Sequence, residues 1–197
     1  MRQRRTALVL GSGLLRDVPI ANLSRSFDTV VLVDLVHPAS VRLGLRGRRL
    51  RNVRLISRDL SGLDQALSDQ PVEPLSFLRQ VPYLDLVISS NLLSQIGAGA
   101  ERRLQDERGD LSPDLVARLI AAHVDGMASL PCSTILLTDT SYTVIDRSGV
   151  THEEKDLLHG IRLPEPQQSW SWPVVPFDEE SRDYEVVHQV AAISQLR

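Results

Sequence analysis

Short apolar runs alternate with longer amphipathic segments from the start of the chain to about residue 138. Strands that are buried on both faces read as continuous apolar runs, and the helices that connect them read as amphipathic segments. The pattern therefore predicts βαβ units and a parallel sheet that is covered on both faces. The predicted strands are 6–10, 29–34, 52–57, 84–90 and 133–138.

Prolines mark where the connecting helices begin. Pro19 and Pro38 stand at the first two helical segments, and Ser112-Pro113 precedes the longest one, because proline is well accommodated in a first helical turn. Two short helical segments are predicted within 60–83. The stretch 97–112 begins Gly-Ala-Gly-Ala and continues with mixed charges, so it is predicted as a loop or a frayed helix.

The pattern changes after Asp139. Residues 140–165 are mostly polar, and only Glu153–His159 predicts a short helix. The runs 168–175 and 184–193 read as strands, and no crossover helix separates them. We therefore expect them to pair antiparallel at the end of the sheet.

Length and composition predict one globular domain, residues 1–197. Of the 197 residues 42% are hydrophobic, which is enough for a full core. A single cysteine excludes an internal disulfide, and the five histidines are too dispersed to predict a metal site. No apolar stretch reaches the roughly 18–20 residues of a membrane span, and no apolar signal region follows the first residues. We therefore expect no membrane partner and a cytoplasmic location.

The charge distribution argues against nucleic acid as a partner. The net charge is −3, whereas a dedicated nucleic-acid surface is usually basic. A local run, Arg42–Arg54, contains six arginines. We interpret this run as a solvated helix face and loop rather than as a phosphate or RNA contact.

Polar residues follow four of the predicted strands. The turn Gly11-Ser12-Gly13 follows the first strand, Asp34 ends the second, Asp59 follows the third, and Ser89-Ser90-Asn91 ends the fourth. In an open parallel sheet, ligands bind outside the carboxyl ends of the strands. Amides of the glycine turn and a carboxylate that accepts from a pair of hydroxyls describe a site for a nucleoside-containing ligand.

This ordered set resembles the class I S-adenosylmethionine-dependent methyltransferase family over most of the chain. The resemblance implies a Rossmann-like α/β fold, a seven-stranded, mostly parallel, doubly wound sheet with an antiparallel C-terminal strand, and S-adenosylmethionine as cofactor. It implies that Asp34 holds the ribose hydroxyls and Asp59 the adenine amino group. The turn Gly11-Ser12-Gly13 and Ser90 would lie against the rest of the cofactor.

The same resemblance places an acceptor site at Asn91, Asp139 and Tyr142, where the methyl group would be transferred. Each residue also has a structural interpretation. Asp34 could be a plain strand-end carboxylate, Asp59 could cap residues 60–62, Asn91 could cap the next helix, and the other two could close a loop. The methyl acceptor, a small molecule or a macromolecule, is not identified, and residues 91–94 lack the Pro-Pro-aromatic motif of nucleobase methylases.

Departures from the family pattern keep other functions open. Val9 stands where an acidic residue is usual, and Leu15 where a third glycine is usual. Either loop 14–17 supplies backbone groups instead, or the chain is a non-catalytic binding or scaffold module. A nicotinamide-dependent oxidoreductase is a further alternative, although Arg16 replaces the glycine of its fingerprint. Because few residues precede the first strand, the acceptor site is open, the chain is truncated, or a partner such as a second copy in a homo-oligomer covers it.

Overall fold

The computed structural model describes residues 4–106 and 113–196. Within them the strands are β1 Thr6–Leu10, β2 Thr29–Asp34, β3 Val53–Ser57, β4 Leu84–Ser90, β5 Ser133–Asp146, β6 Thr151–Asp156, β7 Gln168–Val175 and β8 Tyr184–Ser194. The helices are α1 Ile20–Ser26, α2 Ala39–Gly47, α3 Leu63–Leu67, α4 Leu93–Asp106 and α5 Pro113–Ala128, with a 3₁₀ helix at Ser76–Gln80.

All eight strands belong to one sheet: seven follow the order β3-β2-β1-β4-β5-β8-β7, and β6 pairs with β5 beside that path. Strands β1 to β5 are parallel along this path, whereas β8 runs antiparallel to both β5 and β7. The predicted fold class and the antiparallel ending are therefore confirmed. The strand order reverses between β1 and β4, so the carboxyl ends of β1, β2, β4 and β5 meet around one crevice.

The sheet contains one strand, β6, that the sequence pattern did not predict. The helix predicted at Glu153–His159 is wrong, because Thr151–Asp156 forms a strand that pairs antiparallel with the second half of β5. Strand β5 extends to Asp146 rather than to 138. Its first half pairs β4 at 133–137, and its second half lies between β6 and β8, beyond the carboxyl end of β4.

The loop or frayed helix predicted at 97–112 is also wrong in its first part, because α4 continues to Asp106. Residues 107–112 lie outside the described residues. Gly97 does not break the helix. A Cβ atom at Gly97 would lie 3.2 Å from His159 Nε2 and 3.4 Å from Val116 Cγ1, so the glycine lets α4 pack closely against α5 and the segment after β6.

Two apolar clusters cover the two faces of the sheet. Helices α1 and α2 bury one cluster, which includes Val9, Leu32 and Val41. Helices α3, α4 and α5 bury the larger cluster, which includes Leu10 and Ile120. The doubly wound packing fixes the strands, so the loops at their carboxyl ends have defined positions.

Candidate functional site

The glycine turn predicted from the sequence lies at the carboxyl end of β1. The amide of Gly11 donates to the Val33 carbonyl of β2 at 2.9 Å, which ties the turn to the neighbouring strand. Gly11 and Gly13 have φ angles of +71° and +47°. Both values lie in the left-handed region, which glycine adopts without the steric cost that other residues meet.

The two glycines have different surroundings. A Cβ atom at Gly11 would lie 2.8 Å from the Ser90 carbonyl oxygen, so the turn packs directly on the end of β4. A Cβ atom at Gly13 would meet nothing within 4 Å. Gly11 is therefore required by the packing of the protein itself, whereas the space beside Gly13 is open to a ligand.

Asp34 is placed beside this turn. One carboxylate oxygen, Oδ2, accepts the Gly13 amide at 2.7 Å, and the other, Oδ1, accepts the Leu35 amide at 2.8 Å. A carboxylate offers about four lone-pair sites, so about two stay available. The structure thus joins Asp34 and the glycine turn, and it leaves the carboxylate able to accept from hydroxyl groups.

Asp34 and Asp59 both line a cavity of about 260 Å³. Asp59 is exposed, and its Oδ1 accepts the Ser61 amide at 2.8 Å, as the capping interpretation predicted. The Asp59 side chain therefore both caps the loop and lines the cavity. The other lining residues come from the loops after β2, β3 and β4 and from α3 and α4: Leu35, Arg58, Leu60, Ser61, Leu63, Leu92, Gln95, Ile96, Gly99, Ala100 and Arg103.

Two buried serines belong to this region: Ser12 lies in the turn itself, and Ser90 ends β4 next to it. Ser12 is 3% exposed, and its hydroxyl has no hydrogen-bond partner. A buried hydroxyl without a partner is costly unless another group satisfies it, so Ser12 Oγ can bond a water molecule or a ligand atom there. Ser90 is buried as well, with its carbonyl against Gly11.

Asn91 connects the turn after β4 to β5. Its backbone is left-handed, with φ +49°, and its side-chain Oδ1 accepts from the Asp139 amide at 3.2 Å and from Ser94 Oγ at 3.3 Å. The amide oxygen therefore links the Ser94 side chain of α4 to the middle of β5. Asn91 and Asp139, which were predicted to share a site, are in contact.

The side chain of Asp139 holds a histidine that the sequence reasoning missed. Asp139 Oδ2 lies 3.0 Å from His188 Nδ1, and the two side chains are 13% and 19% exposed. The carboxylate can only accept, so Nδ1 carries the proton. Nε2 has no hydrogen-bond partner among the described residues and is not a buried atom. This ring nitrogen is therefore free to interact with a molecule in the site.

Tyr142 lies next to the same histidine. The two rings are stacked with centroids 5.8 Å apart, and the Tyr142 hydroxyl donates to the Glu153 carboxylate of β6. That hydrogen bond, together with partial burial and the charge of Glu153, raises the pKa of Tyr142 above its usual value. Tyr142 is thus held as a neutral phenol at physiological pH.

A third ring, that of Trp172, lies next to His188 on the neighbouring strand. His188 is opposite Tyr142 of β5 in one direction and opposite Trp172 of β7 in the other. Residues directly opposite each other in antiparallel pairs have side chains on the same face, so the three rings form one row across three strands. Trp172 is 57% exposed, which leaves an aromatic surface beside the Asp139–His188 pair.

A second histidine is buried under the same strand ends. His123 of α5 and Ser89 of β4 are both fully buried, with 2.9 Å between Nε2 and Oγ. Burial lowers the pKa of His123 to about 4, so the ring is neutral near pH 7. No solvent reaches this pair, which therefore acts in packing rather than in chemistry.

The two departures noted in the sequence have clear structural positions. Val9 is fully buried in the apolar cluster under α1 and α2. Leu15 has φ +60°, the left-handed backbone that glycine favours, and its side chain packs against that same cluster. Residue 15 therefore keeps a glycine-like backbone. The side chains of Val9 and Leu15 pack in the apolar cluster and offer no polar group to a ligand.

The strand order and the antiparallel strand β8 inserted between β5 and β7 decide the fold. The chain has the class I methyltransferase fold. Strand β6 is an addition to the seven strands of that fold. YcgJ from Bacillus subtilis resembles the chain over 98% of its length and 92% of that protein, with a TM-score of 0.50 and 9% identity.

Weaker structural likenesses include two methyltransferases. The N-methyltransferase NodS from Bradyrhizobium japonicum, in complex with S-adenosyl-L-homocysteine, has a TM-score of 0.41 and 11% identity over 96% of this chain and 79% of that one. An rRNA methylase from Streptococcus thermophilus has a TM-score of 0.37 and 11% identity over 96% and 87%. Likenesses at this level support no comparison of function.

No protein-family model matches the sequence, and no curated protein is significantly similar to it. Among the described residues, no helix is long and apolar enough to cross a membrane.

Proposed function

We propose that this protein binds S-adenosylmethionine and transfers its methyl group to an acceptor. One observation carries the proposal. The cavity that contains both Asp34 and Asp59 begins beside the glycine turn, at the edge where this fold collects its strand ends. When bound, the cofactor supplies a methyl group on a positively charged sulfur, which is already activated for transfer.

The residues present fit that cofactor in four respects. Asp34 keeps lone pairs for the ribose hydroxyls, and Asp59 lines the cavity that would hold the adenine. The space beside Gly13 is open. The Ser12 hydroxyl is buried without a partner and would gain one. Ser90 would support the turn from below.

We further assign the acceptor to the cluster formed by Asn91, Asp139, Tyr142 and His188. The Asn91 side-chain oxygen accepts the backbone amide of Asp139, and the Asp139 carboxylate accepts from Nδ1 of His188. His188 Nε2 would take the proton that an acceptor hydroxyl or amine loses as it gains the methyl group. Tyr142 would position the acceptor against the imidazole.

Val9 and Leu15 favour a second candidate, a non-catalytic binding module. Val9 is buried in the core where the family usually has a carboxylate for the amino-acid end of the cofactor. The chain would then bind the nucleoside part through Asp34 without completing transfer. Binding of the cofactor product with no methylation of any acceptor would favour this candidate.

Calorimetric titration with S-adenosylhomocysteine tests the proposal. Asp34→Asn keeps an acceptor for the Gly13 amide but removes the charge, so we expect affinity to fall by roughly 1.5–3 kcal/mol, about tenfold or more. Asp28→Asn is the matched control, because Asp28 is an exposed aspartate directly before the opposite end of β2. Equal affinities of the two variants would disprove the ribose assignment, and no binding by the unmodified protein would disprove the proposed function.

A further inference from the structure

The segment between Asp34 and Asp59 has an unusual charge. Residues 35–58 contain seven arginines and no aspartate or glutamate, whereas the whole chain has a net charge of −3. The segment therefore contributes +7 and the rest of the chain −10. It forms α2 and the edge strand β3, with the loops around them.

Four of these arginines surround one cavity of about 650 Å³ between α2 and β3. They are Arg42, Arg46, Arg49 and Arg51. Apolar side chains complete the lining, namely Leu45, Leu50, Val53 and Leu55, together with His37 and Ser57. No acidic residue lines this cavity, and it shares no lining residue with the cavity at Asp34.

The four guanidinium groups have no anionic partner among the described residues. Other arginines of the protein do have one, as Arg79 has with Glu73 and Arg147 with Asp178. Arg42 and Arg46 are four residues apart on α2, a spacing at which like charges destabilise a helix. Arg49 adopts a left-handed backbone, φ +55°, directly after that helix. These side chains are exposed, so solvent screens part of their repulsion, and a bound anion would relieve the rest.

We propose that this cavity binds a small molecule that carries two or more phosphate groups, which replaces the solvated-face interpretation of Arg42–Arg54 drawn from the sequence. Planar guanidinium groups match phosphate oxygens in pairs, and four of them exceed what a single carboxylate would use. The volume is that of a small-molecule pocket, and the leucine and valine side chains suit an apolar portion of the same ligand. The inference is independent of the proposed methyl transfer.

Calorimetric titration with inorganic tripolyphosphate tests the site. We expect saturable binding that weakens as salt is added, because charged contacts are screened. The double variant Arg46→Gln/Arg49→Gln should lose about tenfold in affinity or more. The control Arg48→Gln/Arg54→Gln removes the same charge from the same segment, but neither residue lines the cavity. Its affinity should change about twofold at most.

Three outcomes would overturn the proposal: no saturable binding of tripolyphosphate, an equal loss of affinity in both double variants, or tight binding of a single-stranded RNA that tripolyphosphate does not displace. The second would indicate a diffuse electrostatic effect, and the third a nucleic-acid surface. Titration of the same variants with S-adenosylhomocysteine reports separately on the Asp34 cavity. Unchanged affinity there would show that the substitutions leave the fold intact.

Discussion

His188 illustrates how a single contact defines what a side chain can do. Its Nδ1 is held by Asp139, its ring stacks on Tyr142, and its Nε2 is left without a partner among the described residues. A carboxylate that orients an imidazole in this way fixes which nitrogen carries the proton. The orientation is therefore a property of the protein that can be measured without knowing the acceptor.

We predict that neutral His188 is protonated on Nδ1. His152 provides an internal control, because its Nε2 lies 2.7 Å from Asp146 Oδ2 and should carry the proton instead. Long-range ¹H–¹⁵N correlation spectra at alkaline pH distinguish the two forms. Asp139→Ala should change the signals of His188 alone. If His188 were protonated on Nε2 in the unmodified protein, it could not act as the proposed base.

At the scale of elements, the two glycines of the turn after β1 have different structural roles, which the Gly-x-Gly pattern does not distinguish. Gly11 is confined by the Ser90 carbonyl at the end of β4, and Gly13 faces open space. Both have positive φ angles. The first glycine therefore serves the packing of β1 against β4, and the second serves the space in which the cofactor would lie.

Alanine substitutions should separate these roles. Gly13→Ala should cost about 1–2 kcal/mol of stability from its left-handed backbone alone. Gly11→Ala adds a clash with a backbone oxygen, and overpacking of this kind typically costs a further 1–3 kcal/mol or so. Urea unfolding of both variants measures the difference. Gly13→Ala should retain the fold and weaken S-adenosylhomocysteine binding. Similar unfolding midpoints for the two variants would contradict the packing role of Gly11.

At the scale of the whole molecule, the larger core includes a polar pair that depends on pH. His123 and Ser89 join α5 to β4 in the fully buried interior, and burial lowers the pKa of His123 from 6.5 to about 4. The unfolded chain therefore binds a proton at a higher pH than the folded protein does. Stability from this group is present above about pH 6.5 and is lost as the pH falls toward 4.

We expect His123 to account for about 3 kcal/mol of the stability lost between those pH values, which is the free energy of a pKa difference of this size. Urea unfolding from neutral pH to about pH 4.5 measures it, with His123→Gln as the comparison because glutamine does not titrate and can still bond Ser89. The variant should lose stability less steeply on acidification. Parallel pH profiles for the two proteins would show that His123 is not neutral in the fold.

The sequence by itself determined the parallel part of the sheet. The runs that form β1 and β2 are apolar and almost entirely buried, because interior strands of such a sheet meet helices on both faces. The glycine turn and Asp34 were also predicted together, since both follow directly from strand ends. Local residue patterns carry this information, and distant parts of the chain do not alter it.

Tertiary structure alone decided three other features: strand β6, the helix at Gly97 and the contact between His188 and Asp139. Thr151–Asp156 became a strand because the second half of β5 offered an unpaired edge, although the segment itself is polar and mostly exposed. Gly97 remained helical because α4 packs closely against its neighbours there. His188 meets Asp139, 49 positions earlier, only through the antiparallel register of β5 and β8. Register between distant strands is set by the whole sheet, so no local pattern could reveal that contact.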